Sequence, residues 1–151
     1  MRFAFRRQIR HPFYPALKPA AAAAAKADSP ALYGAVEELA TAARDGARPA
    51  RAVFPLLGPA TPFLDEFQRE KLWACFQVPI YALLIDGREN VVGYECEAQG
   101  LHLREDYAAR LLFGKIEFEP CECGRPGPRL VPENALETQL DGPRMNTNAR
   151  E

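Results

Sequence analysis

Residues 80–102 read "IYALLIDGRENVVGYECEAQGLH", and the fold turns on how they are read. With the two residues before it, "VPIYALLID" is almost continuously apolar, the composition of a strand buried on both faces. "DGREN" supplies turn residues, and "VVGYECE" alternates well enough to return as a second strand. The stretch is therefore a predicted hairpin that runs into a cysteine, with Gly100 and His102 just beyond.

Working upstream, "TPFLDEFQREKLWACF" (61–76) carries helix signals, with Thr61 as cap, Pro62 next and acids Asp65 and Glu66 in the first turns. Leu64, Phe67, Leu72, Trp73 and Phe76 supply its apolar face. "ARPARAVFPLLGPATP" (47–62) contains four prolines and reads as a loop with a short strand at most. "SPALYGAVEELATAARDG" (29–46) reads as a second helix, with Ser29 as cap, Pro30 at the first helical position and Gly46 at the end. Leu32, Val36, Leu39 and Ala43 form its apolar stripe. Downstream, "REDYAARLLFG" (104–114) reads as a short helix ended by Gly114. "KIEFE" (115–119) alternates strictly, placing Ile116 and Phe118 on one face of a strand. The fold class expected is α/β (α+β): one small domain with two main helices, a short mixed sheet and a structural zinc site.

The 151 residues divide, on this reading, into three parts. Residues 1–28 are a basic, Pro/Ala-rich arm and linker, 29–131 the zinc-stabilised domain, and 132–151 a flexible tail with too little apolar density to pack. The arm carries six of the Lys and Arg residues within positions 1–27 and no acid, so the rest of a chain of net charge −1 is acidic. Phe3, Phe5, Phe13 and Tyr14 interleave with its arginines, but no nucleic-acid reading module follows, and nucleic-acid binding is disfavoured. Prolines interrupt the arm and its only apolar run is Ala20–Ala25, a poor signal core. No run approaches the roughly 18 apolar residues of a membrane span. A soluble, cytoplasmic protein is expected, whose arm lies on the body or on a partner.

In a reducing compartment, a close cysteine pair points to metal or redox work. "CEC" at 121–123 is not the Cys-x-x-Cys of redox helices, so metal leads. Structural zinc takes four thiolate or imidazole ligands in a tetrahedron. The chain offers Cys96 and His102 with five residues between them, then Cys121 and Cys123 after a further 18. Gly100 permits a sharp reversal between the first two, and Gly124 would let backbone N–H groups turn toward the sulfurs. The plain alternatives are that Cys96 is a small core residue and His102 an ordinary hydrogen-bonded histidine. Cys75, beside Trp73 and Phe76, reads as packing. Four protein ligands close the shell, so the zinc would be structural; catalytic sites keep a position open. Glu95, Glu97, Glu119 and Glu122 flank the ligands and are expected to be solvated.

"IYALLIDGRENVVGYECEAQGLHLREDY" and "PCECGRPGPRL", preceded by "LDEFQREKLWACFQVPIY", resemble segments of the phenylacetate-CoA ligase-type adenylate-forming enzymes. The likeness covers about residues 50–131. It implies a zinc site at Cys96, His102, Cys121 and Cys123. It does not bring the activity with it. The family's Tyr-Gly-x-Ser/Thr-Glu loop corresponds to "YALLID", where Tyr81 remains but Ala82, Leu84 and Ile85 replace the glycine, the hydroxyl and the acid. No Arg-Thr-Gly-Asp element is present, and no Gly-rich loop opens a helix.

The function expected is a non-catalytic zinc-binding module, a trimmed relative of these ligases that binds a protein partner, a second copy or a small ligand. The alternative is an accessory subunit of an acyl- or aryl-activating enzyme, with Tyr81 lining part of the site and another chain supplying ATP binding.

Overall fold

The computed structural model describes residues 9–24, 28–111 and 114–132. The tail expected over 132–151 lies, from residue 133 on, outside the described residues, as do Phe3 and Phe5 of the arm. The described residues form a mixed α+β domain with eight strands, β1 (Ala20–Ala21), β2 (Ala31–Gly34), β3 (Ala52–Leu57), β4 (Leu83–Ile85), β5 (Val91–Glu95), β6 (Leu101–Leu103), β7 (Lys115–Glu117) and β8 (Arg129–Val131). Its three α-helices are α1 (Val36–Arg44), α2 (Glu66–Phe76) and α3 (Glu105–Ala108). The sheet runs in the order β1-β2-β3-β4-β5-β6-β8-β7. Strands β1 to β4 pair in parallel, and every pairing from β4 onward is antiparallel.

The predicted hairpin is present as β4 and β5, paired Leu83↔Tyr94 and Leu84↔Gly93 around the Asp86–Asn90 turn. Gly93 is there for room. A Cβ on it would sit 2.9 Å from the Cβ of Leu84.

The first predicted helix begins later than its sequence signals suggested. Ala31–Gly34 is strand β2, and α1 starts at Val36, where the Ala35 N–H donates to Glu38 Oε1 at 2.9 Å. Leu32 still packs in the same core as Val36, Leu39 and Ala43, so the stripe is real although its first member stands on a strand. A strand covered on both faces shows no alternation, which is why β2 passed for a helical turn. Helix α2 is likewise capped by Asp65 rather than Thr61. Asp65 Oδ1 accepts from Gln68 N–H at 2.7 Å, and Gln68 Oε1 accepts from Asp65 N–H in return. Leu64, Leu72 and Phe76 are buried, whereas Phe67 and Trp73 project to solvent. The proline-rich stretch contains the fully buried strand β3; Pro55 falls where its pairing passes from β2 to β4.

Helices α1 and α2 cover one face of the parallel strands, over Leu32, Val53, Leu57 and Ala82. The opposite face, bearing Ala31, Ala52, Phe54, Leu56, Leu83 and Ile85, is packed by Ile9 and Leu17 of the N-terminal segment. Ala20–Ala24, read from sequence as part of the arm and linker, instead adds strand β1 to the sheet, followed by a 3-10 turn. A Cβ on Gly34 would lie 3.1 Å from the Ala22 Cβ, so the small residues there serve close packing. A third cluster, Leu84, Val92, Leu101, Leu103 and Leu130, sits under Phe63, Tyr107 and Ile116. Helix α3 stops at Ala108, short of Gly114, and Phe118 is exposed beyond the end of β7 rather than sharing the burial of Ile116. Among the described residues no helix is long and apolar enough to cross a membrane.

Candidate metal centre

Two turns and one strand build the site. Strand β5 ends at Glu95, and the chain reverses immediately, with Cys96 N–H donating to Gly100 O at 3.0 Å and Gln99 N–H to Cys96 O at 2.9 Å. The left-handed residue of this reversal is Gln99, at φ 64°, not Gly100. Gly100 is required for a different reason. A Cβ there would stand 2.8 Å from Cys121 Sγ and 3.5 Å from Cys96 Sγ, so only hydrogen fits beside the two sulfurs. His102 follows at the centre of β6, paired with Tyr94 on one side and Arg129 on the other. The second turn closes through Gly124 N–H to Cys121 O at 2.8 Å, with Gly124 at φ 89°.

These elements bring Cys96, His102, Cys121 and Cys123 together. One ligand atom from each lies within 4.8 Å of all the others, and the group can hold a metal ion. Cys96 Sγ and Cys121 Sγ are 3.6 Å apart, and Cys123 Sγ is 3.5 Å from His102 Nε2. A disulfide would need about 2.05 Å, which excludes that bond. Around a tetrahedral ion with S and N ligands at about 2.3 and 2.05 Å, the edges are about 3.8 Å for S···S and about 3.6 Å for S···N. Both short separations match those edges. Cys96, His102 and Cys121 are buried, and Cys123 forms the outer corner.

The electrostatics of the ligand groups differ from one another. Burial pushes the Cys96 thiol up to about 11, opposed by the N–H of Gly100, which donates to its sulfur at 3.3 Å. Cys123 is also resisted by burial, yet hydrogen bonds from the backbone and side chain of Arg125 bring it below the ordinary thiol value. The N–H groups turned toward sulfur thus come from Gly100, Ala98 and Arg125; that of Gly124 goes to a carbonyl. Burial, then the nearby Arg129 and Arg125, lower His102, favouring the neutral imidazole that a metal requires. Three thiolates around a divalent ion carry a net negative charge. Arg125 lies beside Cys123, and the Arg129 stem lies beside Gly100, next to Cys121.

Sequence reasoning missed the residues that surround this group. Glu95, expected in solvent, is 5% exposed. It takes a two-pronged bond from Arg69 of α2, at 3.2 and 2.7 Å, and accepts Ala82 N–H at 3.0 Å. His11 is fully buried, its Nε2 2.6 Å from Glu95 O and its Nδ1 accepting Phe13 N–H at 3.1 Å. Burial brings it down to about 4, so it is neutral, with the proton on Nε2. Glu97 does face solvent, where its own backbone N–H, Arg125 and Tyr14 hold it down to about 2. Only the aromatic residues packed after His11 in "HPFY" hinted that the arm had a fixed seat. Tyr81 stacks on Tyr14 at 4.5 Å between ring centres.

No family model fits the chain, and no curated protein is significantly similar to it. The site therefore stands on its own geometry.

Proposed function

We propose that this chain is a zinc-stabilised, non-catalytic binding module, a trimmed relative of adenylate-forming ligases that engages a protein partner or a small ligand. The observation that carries the zinc reading is the Cys3His group, whose short edges of 3.6 and 3.5 Å fit a tetrahedral ion. Zinc is favoured over harder cations because sulfur dominates the donor set. Four protein ligands leave no position open for a reacting water, which favours a structural role. Bound there, the ion would fasten the β5–β6 turn to the loop before β8, cross-linking segments that a small core holds weakly. The binding surface is to be sought where large apolar side chains stand in solvent, at Phe67, Trp73 and Phe118. Against the alternative, an acyl- or aryl-binding subunit built around Tyr81, stands Tyr14, whose ring already covers that of Tyr81.

The test is metal analysis of the purified full chain together with thiol titration. About one zinc per chain is expected. Cys75 should react readily and the other three thiols only after chelation. A metal-free protein with four freely reacting thiols would defeat the reading.

A further inference from the structure

The N-terminal segment from Ile9 to Leu17 packs on Phe54, Tyr81 and Tyr94 of the sheet and also reaches the residues around the metal ligands. His11 is bonded to the carbonyl of Glu95, which precedes Cys96, and the Tyr14 hydroxyl donates to Glu97 Oε2 at 2.8 Å, just after it. The Phe13 ring meets His102 edge-on at 4.9 Å and lies under the Arg125 guanidinium at 4.1 Å. Arg125 in turn holds Glu97 at 2.9 Å and borders Cys123. One side of the segment thus spans both halves of the ligand group. The loop carrying Cys121 and Cys123 is lightly tied at the ligands: Glu119, Pro120 and Glu122 are exposed, and the backbone bonds Gly124 to Cys121 and Cys121 to Arg125 are internal to it, while Arg129 holds Glu119 O and Leu103 N–H holds Pro128 O at its two ends.

From this arrangement we propose that residues 9–17 are a strap whose docking is coupled to metal occupancy, with Phe13 as the positioning residue that links them. Metal holds Cys123 and His102 in place, which sets Arg125 and the imidazole on either side of the Phe13 ring. Without metal the loop is free to move, the Phe13 seat opens, and the strap comes away from the sheet face over Phe54 and Tyr81. The coupling is reciprocal, because any free energy that metal lends the strap the strap lends to metal. The proposal rests on the metal reading above.

The experiment uses the full chain, with zinc content measured first. Hydrogen exchange is followed on the bonded amides of Phe13, Tyr14 and Leu17 and, as an internal reference, on β3. Chelation should speed exchange in the strap by about tenfold or more while β3 stays protected, the size expected of a coupling of ordinary strength. In the reciprocal arm, zinc affinity is measured by competition with a chromophoric chelator. Phe13→Ala should weaken it by about tenfold, and Lys71→Ala, on the exposed face of α2, should leave it unchanged. A protein that binds one zinc but whose strap exchanges equally with and without it overturns the coupling alone. So does a Phe13→Ala chain with wild-type affinity, and that arm decides the matter if the chelated chain unfolds as a whole. A chain that binds no zinc overturns the metal reading itself and the coupling with it.

Discussion

Replacing Gly100 with alanine perturbs the ligand group without removing a ligand. The new Cβ would stand 2.8 Å from Cys121 Sγ, whereas ordinary contact begins at 3.4 Å, so the sulfur must retreat by about 0.6 Å. Metal sites accept only about 0.2 Å of error in a ligand distance. The backbone of Gly100 is outside the left-handed region, so the cost comes from crowding alone. Overpacking of this kind costs about 1–3 kcal/mol. If it falls on the metal-bound state, zinc affinity drops by roughly 5- to 150-fold, since about 1.4 kcal/mol is tenfold. Competition with a chromophoric chelator reads the affinity, and a melt with and without zinc separates it from general stability. Gly87→Ala is the control, because nothing lies within 4 Å of its added methyl. A Gly100→Ala protein that binds zinc as tightly as wild type would show that Cys121 is not held where the tetrahedron needs it.

Two further perturbations bear on the surroundings of the site. Arg69→Met leaves the Glu95 carboxylate buried with only the Ala82 N–H beside it, and should cost about 3 kcal/mol, or on the order of 10 °C in Tm. A melting curve unchanged to within a degree or two would mean that this pair contributes nothing net. His11 is held neutral by burial, from an ordinary 6.5 down to about 4. A folded value below the unfolded one gives stability that is complete above about pH 6.5 and lost as pH falls toward 4, in total about 3 kcal/mol. The difference between wild-type and His11→Phe unfolding free energies, followed by denaturant titration across that range, isolates this effect from protonation of the metal ligands. Parallel curves for the two proteins would refute it.

The sequence by itself specified the elements whose signals are local. The hairpin of β4 and β5 was legible because apolar runs bracket a turn of Asp, Gly and Asn. The four ligands were legible because thiols and imidazole are few in this chain, and their spacing around a hairpin suits one ion. The ends of α1 and α2 were legible, since Gly46 and Phe76 stand at or just beyond their last turns, but their starts were not: α1 begins at Val36 rather than Pro30, and α2 is capped by Asp65 rather than Thr61. What tertiary structure alone decided were the contacts between distant segments. Strands β2 and β3 are buried on both faces, which erases the alternation that marks a half-exposed strand. Glu95 looked like any strand carboxylate until α2 placed Arg69 against it from 26 residues away. His11 sits in a basic, proline-broken segment and finds its carbonyl partner 84 residues along the chain. A side chain's local sequence sets its own conformational preferences, but the charge and shape of its surroundings come from chain that folding brings to it. The metal ligands could be read and their enclosure could not.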